Sequence, residues 1–465
     1  MGVTIPSAAG EVKEVYEISN SLRFNDDDSA SLSREFSTDP SDQKLTTISF
    51  WFKIGNITSA FRALYRFNDG SNTGAIYLRS GNDLQFAWDV SSGTLDVRPD
   101  GVFRDPSAWY HCHIKVDTTQ GTAANRVIIH INGVERSYGT ATYPNQNATL
   151  QHLSNGKTYY VGGSPPNSDY YFDGYVTEFH VIDGQAKDYT DFGEFDDNGV
   201  WIPKRYTGTY GNNGFYLQFK QTGTSANSSG IGADTSGNDL HWTPSNLAAN
   251  DVTTDTCTNN FCTLNSVDKD GHTNAEGNLE VSGDVVYGMQ RGTIGASSGK
   301  WYFEARLDVY QGDTAIALAN EDENVFTRFT GETTNSVGYL ADGRFFYNSS
   351  ATNYSSLSAG DIFQIAFDAD SGKIWIGKNN TWQNSGDPAN GSGQVQTVSW
   401  NFFLPAARTV NNNGNGKLHY NFGQDSSFAG ASTAQNNSDG KYGDFYYAPP
   451  SGFYALCTKR LAEFG

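Results

Sequence analysis

The stretch GDIFQIAFDADSGKIWIGKNNTW, residues 360–382, contains two apolar runs separated by a short polar segment. Apolar and other residues alternate along both runs, as in strands that place one face on a core. The intervening DADSGK, residues 368–373, is composed of residues that favour turns. We therefore expect an antiparallel hairpin. Its inward apolar positions are Ile362, Ile365, Phe367, Ile374 and Ile376.

Two tryptophans in this stretch could serve either the fold or a ligand. Trp375 lies between two isoleucines, so alternation places it on the opposite face of the strand. In a two-layer sandwich that face can also be covered, and we expect Trp375 to pack. Trp382 follows Asn379 and Asn380 and precedes a long polar loop. We expect packing for it as well, but its position keeps it among the candidates for ligand contact.

Strand-like runs between polar turns recur on both sides of this hairpin. One series occupies the first third of the chain and another begins near residue 298, whereas the segment between them is rich in Gly, Ser, Asn and Thr. This pattern predicts an all-β protein of two antiparallel β-sandwich domains of jelly-roll type, joined by an ordered connector. The predicted boundaries are 1–195, 196–265 and 266–465.

Composition and charge limit the classes of partner that we expect. The 465 residues carry a formal net charge of −20, which opposes binding to phosphate backbones and to anionic membrane surfaces. No stretch approaches the roughly 18 apolar residues of a spanning helix. We therefore expect neither a nucleic-acid partner nor membrane insertion.

The second series carries a family resemblance. Its successive stretches resemble the landmarks of the SPRY (B30.2) domain, in order and in spacing. They are SGKWYFEARLD (298–308), AIALANED (315–322), SVGYLADGRFFYN (336–348), the opening stretch, and LPAARTVNNNGNGKLHYNFGQ (404–424). The resemblance implies a bent antiparallel sandwich over residues 266–465, with a C-terminal tail, and a ligand surface in its variable loops.

The first series is similar to the laminin-G-like, concanavalin A-like jelly roll. The resemblance covers roughly residues 15–195 and implies the fold alone, because this superfamily includes lectins, enzymes and assembly modules. The stretches that carry it are SLRFNDDDSASLSREFST (21–38), TTISFWFKIG (46–55), AWYHCHIKVD (108–117), VIIHINGVE (127–135) and YFDGYVTEFHVIDGQA (171–186).

The order of the two domains, with DTSGNDLHWTPSNL and TNNFCTLNS between them, resembles tail-fibre and other virion structural proteins of bacteriophages. That resemblance implies a component of the virion, on a tail fibre or the particle surface, made in the host cytoplasm. It also implies partners: copies of the chain, assembled as a homotrimer as fibres generally are, other virion proteins, and a host-surface glycan.

Catalytic patterns are weak. A glycosidase needs two carboxylates on one strand face, and the clusters around Glu194 and Glu321 break that alternation and lie among turn residues. We therefore expect no enzymatic activity and rank a polysaccharide depolymerase last among the hypotheses.

The sequence offers two further candidate features, a metal site and a disulfide. Asp26, Asp27 and Asp28 form the densest acidic run and are candidates for a structural calcium ion, provided that a turn makes them converge. Cys257 and Cys262 flank a short polar segment, so a local disulfide between them is a candidate too.

The remaining hypotheses concern binding. Loops 346–356 and 379–393 are rich in Asn, Ser, Tyr and Trp, whose rings and amides suit sugars. We expect a non-enzymatic virion adhesin that recognises a host-surface glycan through loops of the SPRY domain, the jelly roll, or both. The alternative is a purely structural capsid-decoration or tail-adaptor protein. The candidate ligand-binding residues are Tyr347, Tyr354, Asn379, Asn380 and Trp382.

Overall fold

The structure is a computed structural model that describes residues 15–68, 72–90, 93–163, 165, 170–283, 287–410 and 415–465. Residues 1–14 of the predicted jelly roll and residues 411–414 of the last SPRY-like stretch lie outside these ranges. The described chain is built of antiparallel sheets, and the prediction of an all-β fold is confirmed. Within the described ranges no helix has the length and apolarity needed to cross a membrane.

The strands of the first half of the chain lie between residues 21 and 253. They are β1 (Ser21–Phe24), β2 (Ser31–Glu35), β3 (Leu45–Ile54), β4 (Arg62–Asn68), β5 (Thr73–Leu78), β6 (Leu84–Val90), β7 (Gly93–Pro99), β8 (Trp109–Asp117), β9 (Val127–Ile131), β10 (Val134–Glu135), β11 (Tyr138–Thr142), β12 (Thr158–Val161), β13 (Gly174–Asp183), β14 (Gly193–Phe195), β15 (Trp201–Pro203), β16 (Phe215–Leu217), β17 (Thr243–Ser245) and β18 (Val252–Thr253).

The strands of the second half begin at residue 264. They are β19 (Leu264–Lys269), β20 (Thr273–Ala275), β21 (Glu280–Gly283), β22 (Gln290–Gly292), β23 (Lys300–Val309), β24 (Ala315–Ala319), β25 (Ser336–Leu340), β26 (Arg344–Tyr347), β27 (Ser350–Asn353), β28 (Ile362–Asp368), β29 (Lys373–Lys378), β30 (Thr381–Trp382), β31 (Gln396–Thr397), β32 (Leu404–Arg408), β33 (Gly416–Asn421), β34 (Asn437–Ser438) and β35 (Asp444–Phe445). The α-helix α1 (Thr458–Phe464) follows. Short 3-10 helices span Ala123–Arg126, Tyr189–Asp191, Ala249–Asp251 and Gln383–Ser385.

The first sandwich consists of two sheets. Sheet A has the order β10-β9-β8-β3-β13-β1-β18, with β16 also paired to β13, and sheet B has the order β11-β7-β6-β5-β4-β12-β2-β17. The alternating residues Ile48, Phe50 and Phe52 of β3 point into the core between the sheets, where they are fully buried. On the other face of β3, Trp51 packs with Trp201. Both faces of sheet A are therefore covered.

The predicted connector takes part in the first sandwich. Its strand β16 pairs with β13, β17 pairs with β2, and β18 pairs with β1. Trp242 is fully buried, and its ring lies 4.7 Å from that of Phe215. The Gly- and Asn-rich sequence of this segment forms tight turns, while its few large rings anchor it to the core.

The second sandwich also has two sheets. Sheet C has the order β19-β22-β32-β24-β25-β26-β27, and sheet D has the order β20-β21-β33-β23-β28-β29-β30, with β31 on β29. The hairpin predicted from residues 360–382 is present as β28 and β29. One correction concerns Ile362, which has the wrong parity for the inner face. The inward residues are Phe363, Ile365, Phe367, Ile374 and Ile376.

The outer face of sheet D is covered by the C-terminal segment. Trp375 is 1% exposed, its ring lies edge-on to Phe453, and its indole Nε1 donates a hydrogen bond to the Ser392 carbonyl at 2.7 Å. Phe445 and Ala455 belong to the same buried cluster. The expectation that Trp375 packs is confirmed.

Asp439 holds the C-terminal segment together. Its carboxylate accepts hydrogen bonds from the guanidinium of Arg460 and from the backbone N–H groups of residues 441, 442, 443 and 455. Burial alone would raise the pKa of Asp439, but these donors outweigh it and lower the pKa to about 2. The ionised carboxylate is therefore the form that the fold favours.

This depressed pKa predicts a loss of stability in acid. A carboxyl group whose pKa is lower in the folded state stabilises the fold above its unfolded pKa, near 3.8, and loses that contribution as the pH falls towards 2. Arg460→Met removes one of the causes, so the free energy of unfolding should fall less steeply between pH 4 and pH 2. Urea unfolding at a series of pH values measures this slope. Arg79→Met, which removes a partly exposed pair with Asp83, should leave it unchanged.

The two sandwiches meet through buried polar contacts. The Lys53 ammonium, at the end of β3, contacts the Asp255 carboxylate at 2.8 Å and donates to the Phe261 carbonyl at 3.2 Å. Arg23 of β1 contacts Asp425, which follows β33, at 3.1 Å. Since isolated buried charges are costly, the Arg23–Asp425 pair is stable only while both sandwiches are in place.

Candidate functional site

Of the five predicted ligand residues, Asn379 and Asn380 form the two-residue turn between β29 and β30. Both have positive φ, at 46° and 63°, which asparagine tolerates well. The Asn379 amide donates to Asp361 at 2.7 Å and accepts from the backbone N–H of Ile362 at 2.8 Å. The geometry of the turn therefore explains why asparagine stands at both positions.

Tyr354 and Trp382 are half-buried and pack on the sandwich. The Tyr354 ring lies 6.4 Å from that of Phe345, and burial raises the pKa of Tyr354. The Trp382 ring lies edge-on to Tyr302 at 6.3 Å and covers Gly377, where an added Cβ would come within 3.2 Å of it. The expectation that Trp382 packs is confirmed.

Tyr347, the fifth predicted residue, lines an open cleft of about 380 Å³ at one end of sheet C. The cleft forms where β24 and β26 end and where the chain enters β25 and β32. Register explains the convergence, because Ala319 pairs with both Ser336 and Leu404. The lining residues are Asn320, Glu321, Asp322, Thr334, Asn335, Tyr347, Thr397, Val398, Ser399, Trp400 and Asn401.

The cleft is built on short contacts between its own segments. The Trp400 indole donates to the Thr334 carbonyl at 2.7 Å, and its ring lies 5.2 Å from that of Phe403. The backbone N–H of Asn320 donates to the Asn335 carbonyl at 2.8 Å. These bonds hold the segments of the cleft together before a ligand arrives, and the Asn320 amide also donates to Asn335 Oδ1 at 3.3 Å. Such order reduces the entropy cost of binding.

An arginine behind the cleft holds its acidic wall. The Arg291 guanidinium donates to the carbonyls of Asn320 and Glu321, at 3.0 and 2.9 Å, and its Nε donates to Asp268 at 2.7 Å. The side chains of Glu321 and Asp322 remain exposed. The cleft lining therefore contains two carboxylates, amides, hydroxyls and two aromatic rings, and no cationic side chain.

The loop from β24 to β25 lies close to the outer face of sheet C. Ala317 and Ala319 form a buried cluster there with Val325 of the loop. At Gly338 an added Cβ would lie 2.5 Å from the Thr330 hydroxyl, so only glycine permits this approach. Small residues at three neighbouring strand positions thus let the β24–β25 loop, which forms one wall of the cleft, pack against sheet C.

Sequence reasoning identified Tyr347 but missed Trp400 and the asparagines at 320, 335 and 401. Asn320 follows β24 within a stretch that resembles a SPRY landmark, whereas Asn335, Trp400 and Asn401 lie outside those stretches, shortly before β25 and β32. A search for polar and aromatic residues at strand ends would have found them individually. Their convergence depends on the pairing of β24, β25 and β32, which are distant in sequence.

Other clefts are less complete or serve the fold. One cleft, about 440 Å³, is lined in part by Val15, the first residue of the described chain. Another, about 350 Å³, lies at the junction and includes Asp425, which is already paired with Arg23. A third, about 200 Å³, contains Arg344 and Asp313, which form an ion pair with each other.

Both cysteines of the candidate disulfide are free thiols, so the structure does not form that crosslink. Cys257 packs with the rings on the outer face of sheet A, whereas Cys262 lies in the core of the second sandwich. The polar segment between them crosses from one sandwich to the other and separates the two sulfurs. Burial raises the pKa of Cys257 well above its usual value and that of Cys262 to about 11.

The acidic run lies in a turn after β1. Asp26 is partly buried, whereas Asp27 and Asp28 are exposed, and Asp28 accepts a hydrogen bond from Asn25 at 3.0 Å. Burial, with the neighbouring charge of Asp27, raises the pKa of Asp26. The three carboxylates therefore differ in environment, and of the three only Asp26 is partly buried.

In the described part of the chain, one group of side chains has metal-ligand spacing: Glu280, Asp308 and His419, with ligand atoms within 4.8 Å of one another. Lys417 lies 2.6 Å from the Glu280 carboxylate, and Arg306 pairs with Asp308. Because these two cations already occupy the carboxylates, the group is neutralised by its own neighbours.

Comparison with known proteins agrees with the fold. Residues 24–187 match a family model described as the concanavalin A-like lectin/glucanases superfamily. The first sandwich is thus a concanavalin A-like jelly roll, and the predicted resemblance is confirmed over those residues. A search among curated proteins finds no match.

Among solved structures, the chain is similar to two SPRY domains and a pentraxin. The SPRY domain of human HERC1 is 17% identical, over 34% of this chain and 96% of that chain, with a TM-score of 0.28. The TRIM65 PSpry domain is 12% identical, over 34% and 91%, with a TM-score of 0.28. The heptameric SAP-like pentraxin of Limulus polyphemus is 16% identical, over 37% and 80%, with a TM-score of 0.28.

Proposed function

We propose that the chain is a non-enzymatic carbohydrate-binding protein, and that the cleft lined by Tyr347 and Trp400 takes a hydroxyl-rich glycan. The observation that carries the proposal is the combination of these two rings with the amides of Asn320, Asn335 and Asn401 in one preformed cleft. Aromatic rings pack on the C–H faces of sugars, and amides exchange hydrogen bonds with hydroxyl groups. The match of the first sandwich to a superfamily that includes lectins is consistent with this class of ligand.

The charge of the cleft limits the class of glycan that it would bind. Glu321 and Asp322 are exposed on one wall, and no cationic side chain lines the cleft. Carboxylates in the glycan would meet this negative potential without a compensating partner. The proposed ligand is therefore an uncharged glycan rather than an acidic one.

The proposal of binding without catalysis is supported by the state of the nearby carboxylates. Glu321 and Asp322 are adjacent in an exposed loop, and the third, Glu323, is buried and accepts hydrogen bonds from the Thr333 hydroxyl and the backbone N–H of Asn324. A depolymerase needs one carboxyl to donate a proton and another to act across the sugar ring. Release of reducing ends from a host polysaccharide would favour the depolymerase.

The finer proposal is that this protein is a bacteriophage adhesin on a tail fibre or the particle surface, assembled as a homotrimer. It rests on the sequence resemblance, and the buried ion pairs between the sandwiches suit a rigid external part. Imaging of the assembled virion tests it. Loops 346–356 and 379–393 facing outwards would support the adhesin, whereas their burial among subunits would favour a purely structural decoration or adaptor protein.

Trp400→Ala and Tyr347→Ala are each expected to weaken binding of a neutral oligosaccharide at least about tenfold, or about 1.4 kcal/mol. Each substitution removes a ring that contributes contact area in the cleft. A glycan array with the full chain identifies the oligosaccharide, and isothermal titration calorimetry then measures its dissociation constant for each variant.

Trp382→Ala is the matched control, because this half-buried tryptophan packs against Tyr302 and does not line the cleft. It should leave the affinity within about twofold, which corresponds to about 0.4 kcal/mol. Loss of binding in Trp382→Ala with full binding in Trp400→Ala would move the site to loop 379–393. An array without any bound glycan would contradict the proposed function.

A further inference from the structure

In the described part of the chain, the outer face of sheet A carries four histidines under one covering segment. This segment, residues 184–210, follows β13 and is called the strap below; its rings pack on that face. Strand register aligns four side chains in one row across β9, β8, β3 and β13, namely His130, His113, Ser49 and His180. His111, two residues before His113 on β8, shares the same face.

Each of these histidines lies against an aromatic ring of the strap. The pairs, with the distances between ring centroids, are His111 with Trp201 (5.8 Å), His113 with Phe192 (5.7 Å), His130 with Tyr189 (4.1 Å) and His180 with Tyr206 (6.1 Å). Among the described strands, β14 and β15 of the strap pair only with each other. Rings and single hydrogen bonds therefore hold the strap on the sheet, and such an element detaches at lower cost than a strand within the ladder.

The hydrogen bonds of His111 require a neutral ring. The Trp201 indole, which can only donate, donates to His111 Nδ1 at 3.0 Å. The ring proton therefore lies on Nε2, which donates to the Ser49 hydroxyl at 2.9 Å. A second proton would have to occupy Nδ1, directly opposite the indole N–H. Protonation of His111 thus breaks a contact between the sheet and the strap.

His113 is fully buried and has no partner for a positive charge. Within the described ranges neither of its ring nitrogens forms a hydrogen bond, and the Lys187 backbone acts on it from outside hydrogen-bond geometry. Burial, with the neighbouring His111 and His130, lowers the pKa of His113 well below its ordinary value. Burial also lowers the pKa of His111, to about 3. Both rings are therefore neutral while the strap is docked.

The charged groups at the rim act on His130 in both directions. Burial lowers the pKa of His130, whereas Glu135 raises it. Lys115 lowers it again and Asp188 raises it, and these two side chains pair with each other at 2.6 Å. His130 is also 7% exposed. It is therefore a weaker contributor than the two fully buried histidines.

Glu178 is the acid that faces the histidines from β13. Its carboxylate lies 3.5 Å from His180 Nε2, so it would stabilise a protonated His180, and we exclude His180 from the trigger. Its neutral neighbours are two hydroxyls that donate to it and one buried thiol, those of Tyr16, Tyr216 and Cys257. Glu178 and Lys204 of the strap line the same small gap as His111, on which their charges act with opposite sign.

We propose that the strap is an acid-released cover of sheet A, which protonation of His111 and His113 detaches while both sandwiches stay folded. β13 and β16, on either side of the strap, pair with each other, so the segment between them can lift while both strands remain in the sheet. Release exposes Trp51 on the sheet and Trp201 on the strap, both buried when the strap is docked. Acid thus creates an apolar surface that is covered at neutral pH.

Acid favours release because a released histidine binds a proton more tightly than a docked one. A group whose pKa is lower in the docked state stabilises that state above its ordinary pKa, near 6.5, and loses this contribution as the pH falls below it. At pH 5.0 each of the two buried histidines should shift the equilibrium towards release by about 30-fold, and the two together by about 1,000-fold. At pH 7.5 the shift is negligible.

Hydrogen–deuterium exchange of the full chain, read by mass spectrometry, tests the release. After correction for the pH dependence of intrinsic exchange, the opening equilibrium constant of strap peptides should rise about 1,000-fold between pH 7.5 and pH 5.0. Peptides from β3 and β8, beneath the strap, should remain protected. His113→Phe keeps a ring against Phe192 but takes up no proton, so it should reduce the rise to about 30-fold.

A second variant and a matched control separate release from general acid unfolding. His111→Asn offers an oxygen to the Trp201 indole but takes up no proton, and should also reduce the rise to about 30-fold. His152 is buried in the core on the opposite side of sheet A, edge-on to Trp88, where burial lowers its pKa to about 3. His152→Phe should therefore leave the rise of the strap peptides unchanged.

Three results would overturn the proposal. The first is protection of the strap that does not change with pH. The second is exposure of β3 and β8 together with the strap, which is global unfolding. The third is a full rise in both His113→Phe and His111→Asn. Should His113→Phe fail to fold, His111→Asn decides. The exchange experiment involves no glycan, so its outcome is separate from that of the proposed function.

Discussion

Replacing Arg23 with methionine is expected to lower the free energy of unfolding by about 3–5 kcal/mol at pH 8, because it leaves buried carboxylates without their cation. The guanidinium is fully buried and contacts Asp425 at 3.1 Å, Glu276 at 3.2 Å and Asp251 at 3.4 Å. Asp425 and Glu276 belong to the second sandwich, so the substitution weakens the junction itself. Urea unfolding followed by tryptophan fluorescence measures the loss.

The deficit should depend on pH in a defined direction. Burial raises the pKa of Glu276 to about 7, against the lowering effect of Arg23, and loss of Arg23 raises it further. A carboxyl group whose pKa is higher in the folded state destabilises the fold increasingly as the pH rises from its unfolded pKa, near 4.5, through its folded pKa. Arg23→Met should therefore lose less stability at pH 5 than at pH 8.

A matched substitution on the surface tests whether burial is the cause. Arg328 forms a pair with Glu332 four residues along the chain, and its side chain is 49% exposed. Arg328→Met should cost at most about 1 kcal/mol, as exposed pairs usually do. Equal losses in the two variants, or an Arg23→Met deficit that does not change with pH, would contradict the account of the junction.

Trp375→Ala is expected to lower the free energy of unfolding by about 3–5 kcal/mol, because it opens a cavity between sheet D and the C-terminal segment. The side chain is 1% exposed, lies edge-on to Phe453, and donates to the Ser392 carbonyl. Truncation removes the apolar contacts and leaves that carbonyl without its donor. Urea unfolding of the purified variant measures the loss.

Trp382→Ala is again the comparison, seven residues along the same stretch. Its side chain is half-buried and lies over Gly377, so truncation exposes less apolar surface and should cost clearly less than Trp375→Ala. If the two substitutions cost the same, the C-terminal segment does not cover Trp375 in solution as it does in the structure.

Both predictions concern contacts between segments that are distant in sequence. Local patterns do not predict such contacts, but they do predict a hairpin. Alternation and turn chemistry in residues 360–382 predicted the hairpin of β28 and β29 because both act over a few residues. The same stretch misled for Ile362, which is apolar but has the parity of the outer face. Phe363 takes its place in the core.

The candidate site was predicted only in part for the same reason. Tyr347 was found because it is an aromatic residue in the polar segment 346–356. Asn379 and Asn380 were chosen for their amides, but in the structure they form a turn that requires positive φ. Trp400 was overlooked because its place in the cleft depends on the pairing of β32 with β24.

The all-β class, the positions of most strands and the turns between them could be predicted from the amino-acid sequence, since periodicity and backbone preferences are local properties. Which charges are buried, and with which partners, became clear from the three-dimensional packing of the chain. Arg23 contacts Asp425, 402 residues further along the chain, and Phe24 at the end of β1 lies opposite Gly174 because β13 pairs with β1. Burial and electrostatic pairing depend on the packing of both sandwiches, and no local pattern encodes them.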